Sequence, residues 1–462
     1  MTEFSSLPLP ATLLSSLADA GFTSMTPIQA QSLPLILNGE DVLAQAATGS
    51  GKTAAFALGL LAKLQVSNFA PQALVLCPTR ELADQVAEAI RLLARGIGNV
   101  KVLTLCGGVP MRIQIGSLQH GAHVLVGTPG RVLDLLQQGE LKLAALQTLV
   151  LDEADRMLEM GFADQLDAII AAVPAQRQTL LFSATYPASI AQLSKRVAPN
   201  ATSISAAPAA STDSADAATN ITQRFYQLGD TVKGQALNNL LLTLQPSNCL
   251  VFCNTKAEVQ ALAADLQAKG HSTLELHGDL EQKDRDQAMV QFANGSARVL
   301  VATDVAARGL DIAELDMVIC VHMAHDLDTH THRIGRTGRA GAQGQALILV
   351  GPQDDYKLRL LEDTLPAPLQ LQKVPAPLAA AKPLQADFAT IQLSGGKKDK
   401  LRPGDIVGAL TRDGVLAAAD IGPIKLQPTW SFVAVRRTLV KHALALLNAD
   451  KIKGKRFRAL KL

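Results

Sequence analysis

Short apolar runs alternate with longer amphipathic stretches along most of this chain. Within the first two hundred residues these runs end at Cys77, Val126, Leu151 and Phe182. A second series of runs ends at Cys253, Ala302, Cys320 and Val350. Runs of this kind that alternate with amphipathic stretches are typical of parallel sheets covered by helices. The sequence therefore predicts two α/β parallel-sheet domains, one after the other.

Polar clusters directly follow the apolar runs of the first domain. They occupy residues 78–82, 128–131, 152–155 and 183–185. Open α/β sheets bind their ligands at the carboxyl ends of the strands. We therefore expect these clusters to contribute to one functional site.

A glycine loop is the first half of that predicted site. Its residues are Gly49, Ser50, Gly51, Lys52 and Thr53. Backbone N–H groups of such a loop can point at phosphate oxygens, the lysine can reach the outer phosphates, and the threonine hydroxyl can bind Mg²⁺. Ala46 replaces the usual first glycine, and a glycine-rich loop by itself is often only a tight turn.

The acidic cluster at residues 152–155 is the second half. Asp152 can hold a hydrated metal ion, and Glu153 can orient the attacking water. Acidic residues also favour the N-termini of helices, which is the alternative interpretation. Because the loop and the cluster are both predicted at strand ends, we interpret them as the two halves of a nucleoside triphosphate site.

Composition limits the class of protein. The 462 residues are enough for about three domains, and 48% hydrophobic with 18% charged residues excludes a largely disordered chain. The five cysteines are dispersed, which favours buried thiols over zinc ligands. Such thiols are typical of a protein in the reducing cytoplasm. With no signal-like N-terminus and no apolar run of about 18 residues, we expect neither export nor membrane insertion.

Changes in composition predict the domain boundaries. The predicted segments are a first domain at 1–205, a flexible linker at 206–220, a second domain at 221–352, a Pro/Ala-rich connector at 353–384 and a third domain at 385–462. The third segment is expected to be a small α+β domain tethered by the connector. We predict strands at 388–393 and 430–435 and a helix at 438–448.

The third segment is also strongly basic. It holds 15 Lys and Arg residues against six Asp and Glu residues, whereas the preceding 384 residues carry a net charge of −7. A basic segment behind acidic domains indicates a polyanionic partner.

The motifs together resemble those of the DEAD-box RNA helicases. The resemblance is carried by residues 46–53, 78–82, 128–131, 152–155, 183–185, 302–311 and 332–339, in that order. It implies two RecA-like domains and an RNA-dependent ATPase that hydrolyses ATP to ADP and phosphate. The resemblance also accounts for Ala46, because this family carries alanine at that position of its loop.

The resemblance implies a set of ATP contacts. Phe22, Thr26 and Gln29 match the family's adenine-binding segment, and the amide of Gln29 has a donor and an acceptor that suit the N6 and N7 edge of adenine. The alternative for Gln29 is a solvent-facing helix residue. The remaining expected nucleotide contacts are Thr48, Gly49, Ser50, Gly51, Lys52, Thr53 and Asp311, with Mg²⁺ held by Thr53 and Asp152 largely through water.

Catalysis and coupling are expected to involve both domains. Besides Lys52, Asp152 and Glu153, the resemblance implies that Arg336 and Arg339 act as arginine fingers supplied by the second domain. The site would then be complete only after the two domains close. Asp155, Ser183, Thr185 and His332 are the residues expected to relay that closure to RNA.

The expected RNA contacts of the first two domains suit phosphate and sugar rather than bases. They are Arg80, Gly108, Thr128, Pro129, Arg131 and Thr303. Such contacts carry little base information, and contacts to 2′-hydroxyl groups would favour RNA over DNA. The alternative for Arg80 is a salt bridge to a neighbouring acidic residue.

The basic third segment resembles the C-terminal ribosomal-RNA-binding domain of the bacterial DbpA type. That resemblance implies an RNA-recognition-motif-like fold. The expected RNA contacts are Lys397, Lys398, Arg436, Arg437, Lys453 and Arg456. A solvated basic tail is the alternative, although Ile452 and Phe457 could anchor the last residues to a core.

These resemblances lead to one functional hypothesis and one rival. We expect a monomeric, cytoplasmic helicase that locally unwinds 23S ribosomal RNA in precursors of the large ribosomal subunit. The rival is an ATP-gated RNA clamp with little productive unwinding, since clamping and melting would use the same closed state.

Overall fold

The computed structural model describes residues 3–46, 49–205, 221–307, 315–338, 343–363, 369–377 and 380–462. The predicted linker at 206–220 lies outside the described residues. Two compact units emerge, one from the described residues up to Ser205 and one from Ile221 onward.

The first unit alternates strands and helices. Its strands are β1 (Val42–Gln45), β2 (Ala73–Leu76), β3 (Val102–Leu105), β4 (Val124–Gly127), β5 (Thr148–Asp152), β6 (Gln178–Ser183) and β7 (Thr202–Ser205). Its helices are α1 (Ala11–Asp19), α2 (Pro27–Asn38), α3 (Lys52–Ala62), α4 (Arg80–Leu93), α5 (Met111–Gln119), α6 (Pro129–Gln137), α7 (Ala154–Glu159), α8 (Ala163–Ala172) and α9 (Ala188–Val197).

The described strands of the first unit form one parallel sheet in the order β3-β4-β2-β5-β6-β1-β7. Two apolar cores lie against it, one containing Val75 and Phe182 and the other containing Leu74 and Leu181. Neighbouring residues of a strand point to opposite faces, so this division places a core on each face of the sheet. Both faces are covered by helices, as the apolar runs predicted.

The second unit begins with the same alternation. Its first strands are β8 (Ile221–Gln227), β9 (Cys249–Cys253), β10 (Thr273–Leu276), β11 (Val299–Thr303), β12 (Met317–Cys320), β13 (Gly344–Val350) and β14 (Leu371–Lys373). Its first helices are α10 (Lys233–Leu244), α11 (Lys256–Ala268), α12 (Gln282–Ala293), α13 (Asp304–Ala307), α14 (Leu327–Ile334) and α15 (Asp355–Glu362).

The second sheet repeats the topology of the first. Its described strands are parallel in the order β10-β11-β9-β12-β13-β8-β14, which is the order of the first sheet with every number raised by seven. Helix α15 and strand β14 come from residues 353–384, which were expected to serve as a connector. Strand β14 lies at the edge of the sheet because it pairs with β8, and nothing in its three residues alone predicts a strand.

The basic segment forms a small α+β domain. It consists of β15 (Phe388–Leu393), α16 (Pro403–Leu410), β16 (Ile421–Leu426), β17 (Ser431–Arg436), α17 (Val440–Ala449) and β18 (Ala459–Lys461). The four strands form an antiparallel sheet in the order β16-β17-β15-β18. This βαββαβ arrangement agrees with the predicted fold.

This small domain lies directly against the second parallel-sheet domain. The Thr390 hydroxyl is 2.7 Å from that of Ser296 and 3.3 Å from Nδ2 of Asn294. Arg437 Nη1 donates to the Ser272 hydroxyl at 3.2 Å, and Leu384 is buried in the core of the second parallel-sheet domain. The two domains therefore share a polar seam, whereas the sequence led us to expect only a tether.

The described part of the chain contains no helix that is both long and apolar enough to cross a membrane. All five cysteines are buried and unbridged, as predicted.

Candidate functional site

The glycine loop joins β1 to α3 and has a backbone that only glycine adopts readily. Gly49 and Gly51 have φ angles of 85° and 94°. A Cβ atom at Gly51 would lie 2.5 Å from Nε2 of Gln29, so a side chain at this position would clash. Lys52 and Thr53 follow as the first residues of α3. Thr48 lies outside the described residues.

Gln29 connects the predicted adenine segment to this loop. Its side chain is buried, its Oε1 accepts a hydrogen bond from Thr26 N at 2.9 Å, and its Nε2 donates to Gly51 O at 3.1 Å. The alternative of a solvent-facing glutamine is therefore wrong. Phe22 packs edge-on against Phe4, with ring centroids 6.4 Å apart. The amide keeps a second proton and a second lone pair with which it can bind adenine.

Two buried charged groups beside the loop each have a polar atom without a hydrogen-bond partner among the described residues. These atoms are Nζ of Lys52 and Oδ1 of Asp152, in side chains that are 6% and 2% exposed. Buried polar groups are almost always paired in folded proteins, because leaving one unpaired costs about 1–3 kcal/mol. This pair of atoms is consistent with a site built for a ligand. The Ser50 hydroxyl is also buried without a partner among these residues.

Burial dominates the electrostatics of Asp152. Desolvation raises the pKa of this carboxyl to about 6, the nearby Lys52 cation opposes the rise, and the Glu153 carboxylate adds to it. Around neutral pH the Asp152 carboxylate is therefore ionised, and burying its charge costs free energy. A dication or a phosphate-bound cation at this place would remove that cost.

Glu153 has a strained backbone. Its φ and ψ angles are 54° and 53°, the left-handed region, which a residue with a Cβ occupies at a cost of about 1–2 kcal/mol. It stands between the last residue of β5 and the first residue of α7. Such strain clusters at active sites, and here it turns the chain sharply between Asp152 and Asp155.

Asp155 ties the acidic cluster to the 183–185 turn. One carboxylate oxygen accepts hydrogen bonds from the Thr185 N and hydroxyl, both at 2.9 Å, and from Ala184 N at 3.2 Å. Ser183 O in turn accepts from Ala46 N at 2.9 Å, which links the turn to the start of the phosphate loop. The structure thus brings together three predicted segments, and their role in coupling stays a prediction.

The predicted RNA contacts of the first unit lie on loops after β2, β3 and β4. Gly108 has a φ angle of 75°, and Arg131 Nη1 donates to the neighbouring Val109 O at 2.8 Å. Thr128 and Pro129 begin helix α6. Arg80 lies 3.6 Å from the carboxylate of Asp84, so the salt bridge named as its alternative is present. The Arg80 side chain is 21% exposed and that of Asp84 is 51% exposed, and the RNA contact of Arg80 stays a prediction.

The second unit contains a buried ionic network that sequence reasoning missed. Arg333, 1% exposed, forms bidentate bonds to Asp304 at 2.7 Å and donates to Asn254 Oδ1 and His322 O at 2.9 and 2.8 Å. Burial would lower the pKa of Arg333, but the bonds to Asp304 outweigh it and raise the pKa further. The sequence showed several arginines in the 332–339 motif, but no local pattern distinguished Arg333 as the one that would be buried in an ionic network.

The other predicted residues of the second unit surround this network. Thr303 ends β11, His332 is in α14, and Arg336 is buried just beyond that helix. Arg339 and Asp311 lie outside the described residues. The fingers and the nucleotide contact assigned to them therefore stay predictions.

The six predicted cations of the C-terminal domain do not form one patch. Arg436 pairs with Asp420 at 2.8 Å at one end of β17, and Arg437 contacts Ser272 of the neighbouring domain. Lys397, Lys398, Lys453 and Arg456 are exposed on loops. The alternative of a solvated tail is wrong, because Ile452 and Phe457 are buried and β18 pairs with β15.

The residues at the first site also fit a magnesium ion. Mg²⁺ is usually held by one or two carboxylates together with water and substrate phosphates. Asp152 supplies a buried oxygen without a partner among the described residues, and Thr53 lies on the first turn of α3 beside the loop. No further protein ligand is needed for such a site.

Comparisons with known proteins agree with this geometry. Residues 26–193 match the DEAD/DEAH box helicase family, residues 232–341 the helicase conserved C-terminal domain, and residues 390–460 the DbpA RNA binding domain. The chain is 53% identical to the ATP-dependent RNA helicase DbpA of Escherichia coli (strain K12), over the full length of both. It is 35% identical to the Bacillus subtilis (strain 168) protein of the same name, over 100% of this chain and 99% of that one.

A solved structure shows the same fold. The S. cerevisiae Dbp5 bound to RNA and ADP BeF3 is 30% identical, has a TM-score of 0.70, and matches over 81% of this chain and 96% of its own. The chain belongs to the DEAD-box ATP-dependent RNA helicases of the DbpA type, and it is an RNA-dependent ATPase.

Proposed function

We propose that this helicase remodels 23S ribosomal RNA in precursors of the large ribosomal subunit. The observation that carries the proposal is a folded C-terminal domain with a net charge of +9 on residues 385–462. Five of its six acidic residues are paired with a basic side chain or histidine, at Asp399, Asp405, Asp413, Asp420 and Asp450. The surplus cations therefore face solvent, where a structured polyanion can bind them.

ATP hydrolysis is assigned to the first unit with help from the second. Lys52 binds the outer phosphates, the backbone N–H groups of the loop hold the others, and Glu153 orients water for attack on the terminal phosphorus. When bound at Asp152 and Thr53, Mg²⁺ neutralises the charge of the phosphates. Arg336 and Arg339 stabilise the charge that develops as the terminal phosphoryl group is transferred.

Unwinding is assigned to the binding of one RNA strand, through its phosphates and sugars, by the first and second units. Arg80, Arg131 and Thr128 of the first unit and Thr303 of the second are the proposed contacts. A bent strand does not fit a regular duplex, and each stacked step costs about 1–2 kcal/mol to undo. A single ATP cycle therefore opens only a few pairs near the place where the C-terminal domain is bound.

The test uses the full-length protein and compares how strongly different RNAs stimulate its ATP hydrolysis. We expect 23S ribosomal RNA, and one fragment of it, to stimulate hydrolysis at concentrations at least tenfold below those needed for 16S ribosomal RNA or random RNA of the same length. Equal stimulation by all RNAs would refute the ribosomal target but not the helicase activity.

Two further properties belong to the proposal. The buried, unbridged thiols fit a reducing cytoplasm, and no described feature requires a second copy of the chain. We infer a cytoplasmic monomer. Light scattering during gel filtration should give a mass near 48.7 kDa, and twice that mass would contradict it.

A further inference from the structure

Three loops of the C-terminal domain meet at one end of its sheet. They are residues 396–402, residues 427–430 and residues 451–458, and we call their meeting place the basic loop end. Lys397 N and Lys398 N donate to Gln427 O and Pro428 O, each at 2.9 Å. Lys453 Nζ donates to Lys400 O at 3.0 Å, and Lys455 is bonded to Asp399 at 3.2 Å. The three loops are therefore held as one surface.

Two glycines permit this close approach. A Cβ atom at Gly395 would lie 2.2 Å from the Phe457 ring, and one at Gly396 would lie 2.2 Å from Gln427 O. Both distances are shorter than any real contact, so only glycine allows the 396–402 loop to enter between the other two. The surface is a built feature of the fold.

The third loop is rigid as well. Lys453 and Gly454 have φ angles of 52° and 78°, and Ile452 and Lys455 exchange backbone hydrogen bonds at 2.8 and 3.1 Å. These are the features of a tight two-residue turn of type I′. The turn projects the basic side chains on either side of it into solvent.

The basic loop end has more cations than its acids can neutralise. Asp405 pairs with Lys453 at 2.9 Å and Asp399 pairs with Lys455. Exposed Lys397, Lys398 and Arg456 form no ion pair with any residue that the structure describes. These cations are therefore available to bind phosphates of a ligand.

An exposed aromatic ring lies in the second of the three loops, residues 427–430. Trp430, the only tryptophan of the chain, is 39% exposed, and its carbonyl accepts a hydrogen bond from Gln427 N at 2.8 Å. An exposed tryptophan beside unpaired lysines has the two features with which proteins bind single-stranded nucleic acid, a platform for base stacking and charges for the backbone. Double-stranded RNA offers no unstacked base to such a ring.

The other two predicted cations are distant from this surface. β17 begins at Ser431, next to Trp430, and ends at Arg436, which places about 17 Å of extended chain between the two ends. Arg436 and Arg437 therefore cannot share the phosphates that Lys397 and Lys398 bind.

We propose that the basic loop end binds a single-stranded RNA segment, with Trp430 stacked on a base and Lys397 and Lys398 bound to adjacent phosphates. The proposal deepens the RNA binding assigned to the C-terminal domain under the proposed function. It adds that the domain reads an unpaired loop or end, through one aromatic ring.

The first measurement uses the fluorescence of Trp430 in the full-length protein without nucleotide. Titration with single-stranded decaadenylate should quench the emission, and a blunt ten-base-pair RNA duplex should not. The K397A/K398A double variant should need several-fold more decaadenylate for half-quenching. Lys441→Ala removes one charge at the start of α17, beyond the other end of β17, and should behave like wild type. Unchanged emission at saturating decaadenylate, or equal loss in Lys441→Ala, would overturn the proposal.

The second measurement separates stacking from charge. By anisotropy of labelled decaadenylate, Trp430→Ala should weaken binding roughly 5- to 100-fold with an unchanged salt slope, whereas Trp430→Phe should retain most of the affinity. K397A/K398A should reduce the slope of log affinity against log salt by about 1.4. Circular dichroism confirms that each variant is folded. If folded Trp430→Ala binds like wild type, the ring has no such role.

The two proposals can fail independently. Quenching by decaadenylate together with equal ATPase stimulation by all RNAs would sink the ribosomal target and support this site. Preference for 23S ribosomal RNA together with silent Trp430 emission would sink this site and support the ribosomal target.

Discussion

The two parallel sheets have the same strand order but treat their carboxyl edges in opposite ways. In the first sheet, Lys52 and Asp152 leave buried polar atoms without partners among the described residues. In the second sheet, Arg333 connects Asn254 after β9, Asp304 after β11 and His322 after β12. Within the described structure, Lys52 and Asp152 thus keep unpaired atoms at the first edge, whereas the Arg333 guanidinium at the second edge is bonded by two side chains and a backbone carbonyl.

This contrast indicates which edge is built to bind a ligand on its own. Unpaired buried groups cost stability and can be completed by a ligand, whereas the bonds of a buried arginine hold the surrounding loops together. Arg336 N donates to Arg333 O at 3.2 Å, which attaches the predicted arginine finger to this network.

Glu153→Gln should abolish ATP turnover while the protein still binds ATP and RNA. We expect kcat to fall by about 10²–10⁴-fold, because a carboxylate that orients water is replaced by an amide. ATP and RNA affinities, measured by fluorescence titration, should change less than threefold. Retained hydrolysis would refute the role assigned to Glu153.

Arg333→Met should destabilise the second unit by about 3–5 kcal/mol, because Asp304 and its neighbours lose the cation that they surround. Hydrogen exchange should accelerate in β9, β11 and β12 and not in the first unit. Arg333→Lys is the matched control that keeps the charge, and it should cost less. Equal protection in wild type and Arg333→Met would show that the network does not hold this edge together.

Asp152→Asn should stabilise the ligand-free protein in a pH-dependent way. The pKa of Asp152 is raised by burial from 3.8 to about 6, so well below pH 3.8 the carboxyl is protonated in both the folded and the unfolded protein and the substitution gains nothing. The cost of the buried charge grows as pH rises from 3.8 to about 6 and is complete above pH 6, where it is on the order of 1–3 kcal/mol.

Thermal unfolding of wild type and Asp152→Asn at pH 4.5 and pH 8 measures this effect in the first unit. The variant should unfold at a higher temperature at pH 8 and show a smaller difference at pH 4.5. Mg²⁺-dependent ATP binding should be lost at both values. A constant difference in unfolding temperature would refute the burial cost.

Thr390→Val should loosen the seam between the second parallel-sheet domain and the C-terminal domain. Its hydroxyl lies between Asn294 and Ser296, which are largely buried, and removing it should cost about 1–3 kcal/mol. A double-mutant cycle with Ser296→Ala, followed by urea unfolding monitored through Trp430, measures the coupling. An additive cycle would mean that the seam contributes nothing to stability.

Much of the fold and of the first site could be predicted from sequence, because those signals are local. Every apolar run named in the sequence became a strand, and the polar cluster after each run lies at a strand's carboxyl end. Eight of the described strands were not named from the sequence, and two of them, β7 (Thr202–Ser205) and β14, have polar or exposed residues that form strands only beside β1 and β8. Their conformation comes from a partner and not from their own periodicity.

The sequence by itself determined which reactive groups this protein has and in what order, since a phosphate loop, an acidic cluster and an arginine motif are each defined within a few residues. Only the tertiary structure decided which of these groups are satisfied. Arg333 meets Asp304 across 29 residues, and Asp155 meets Thr185 across 30. A charge is neutralised by whatever folding brings within about 3–4 Å of it, and that distance is set by the packing of the whole domain.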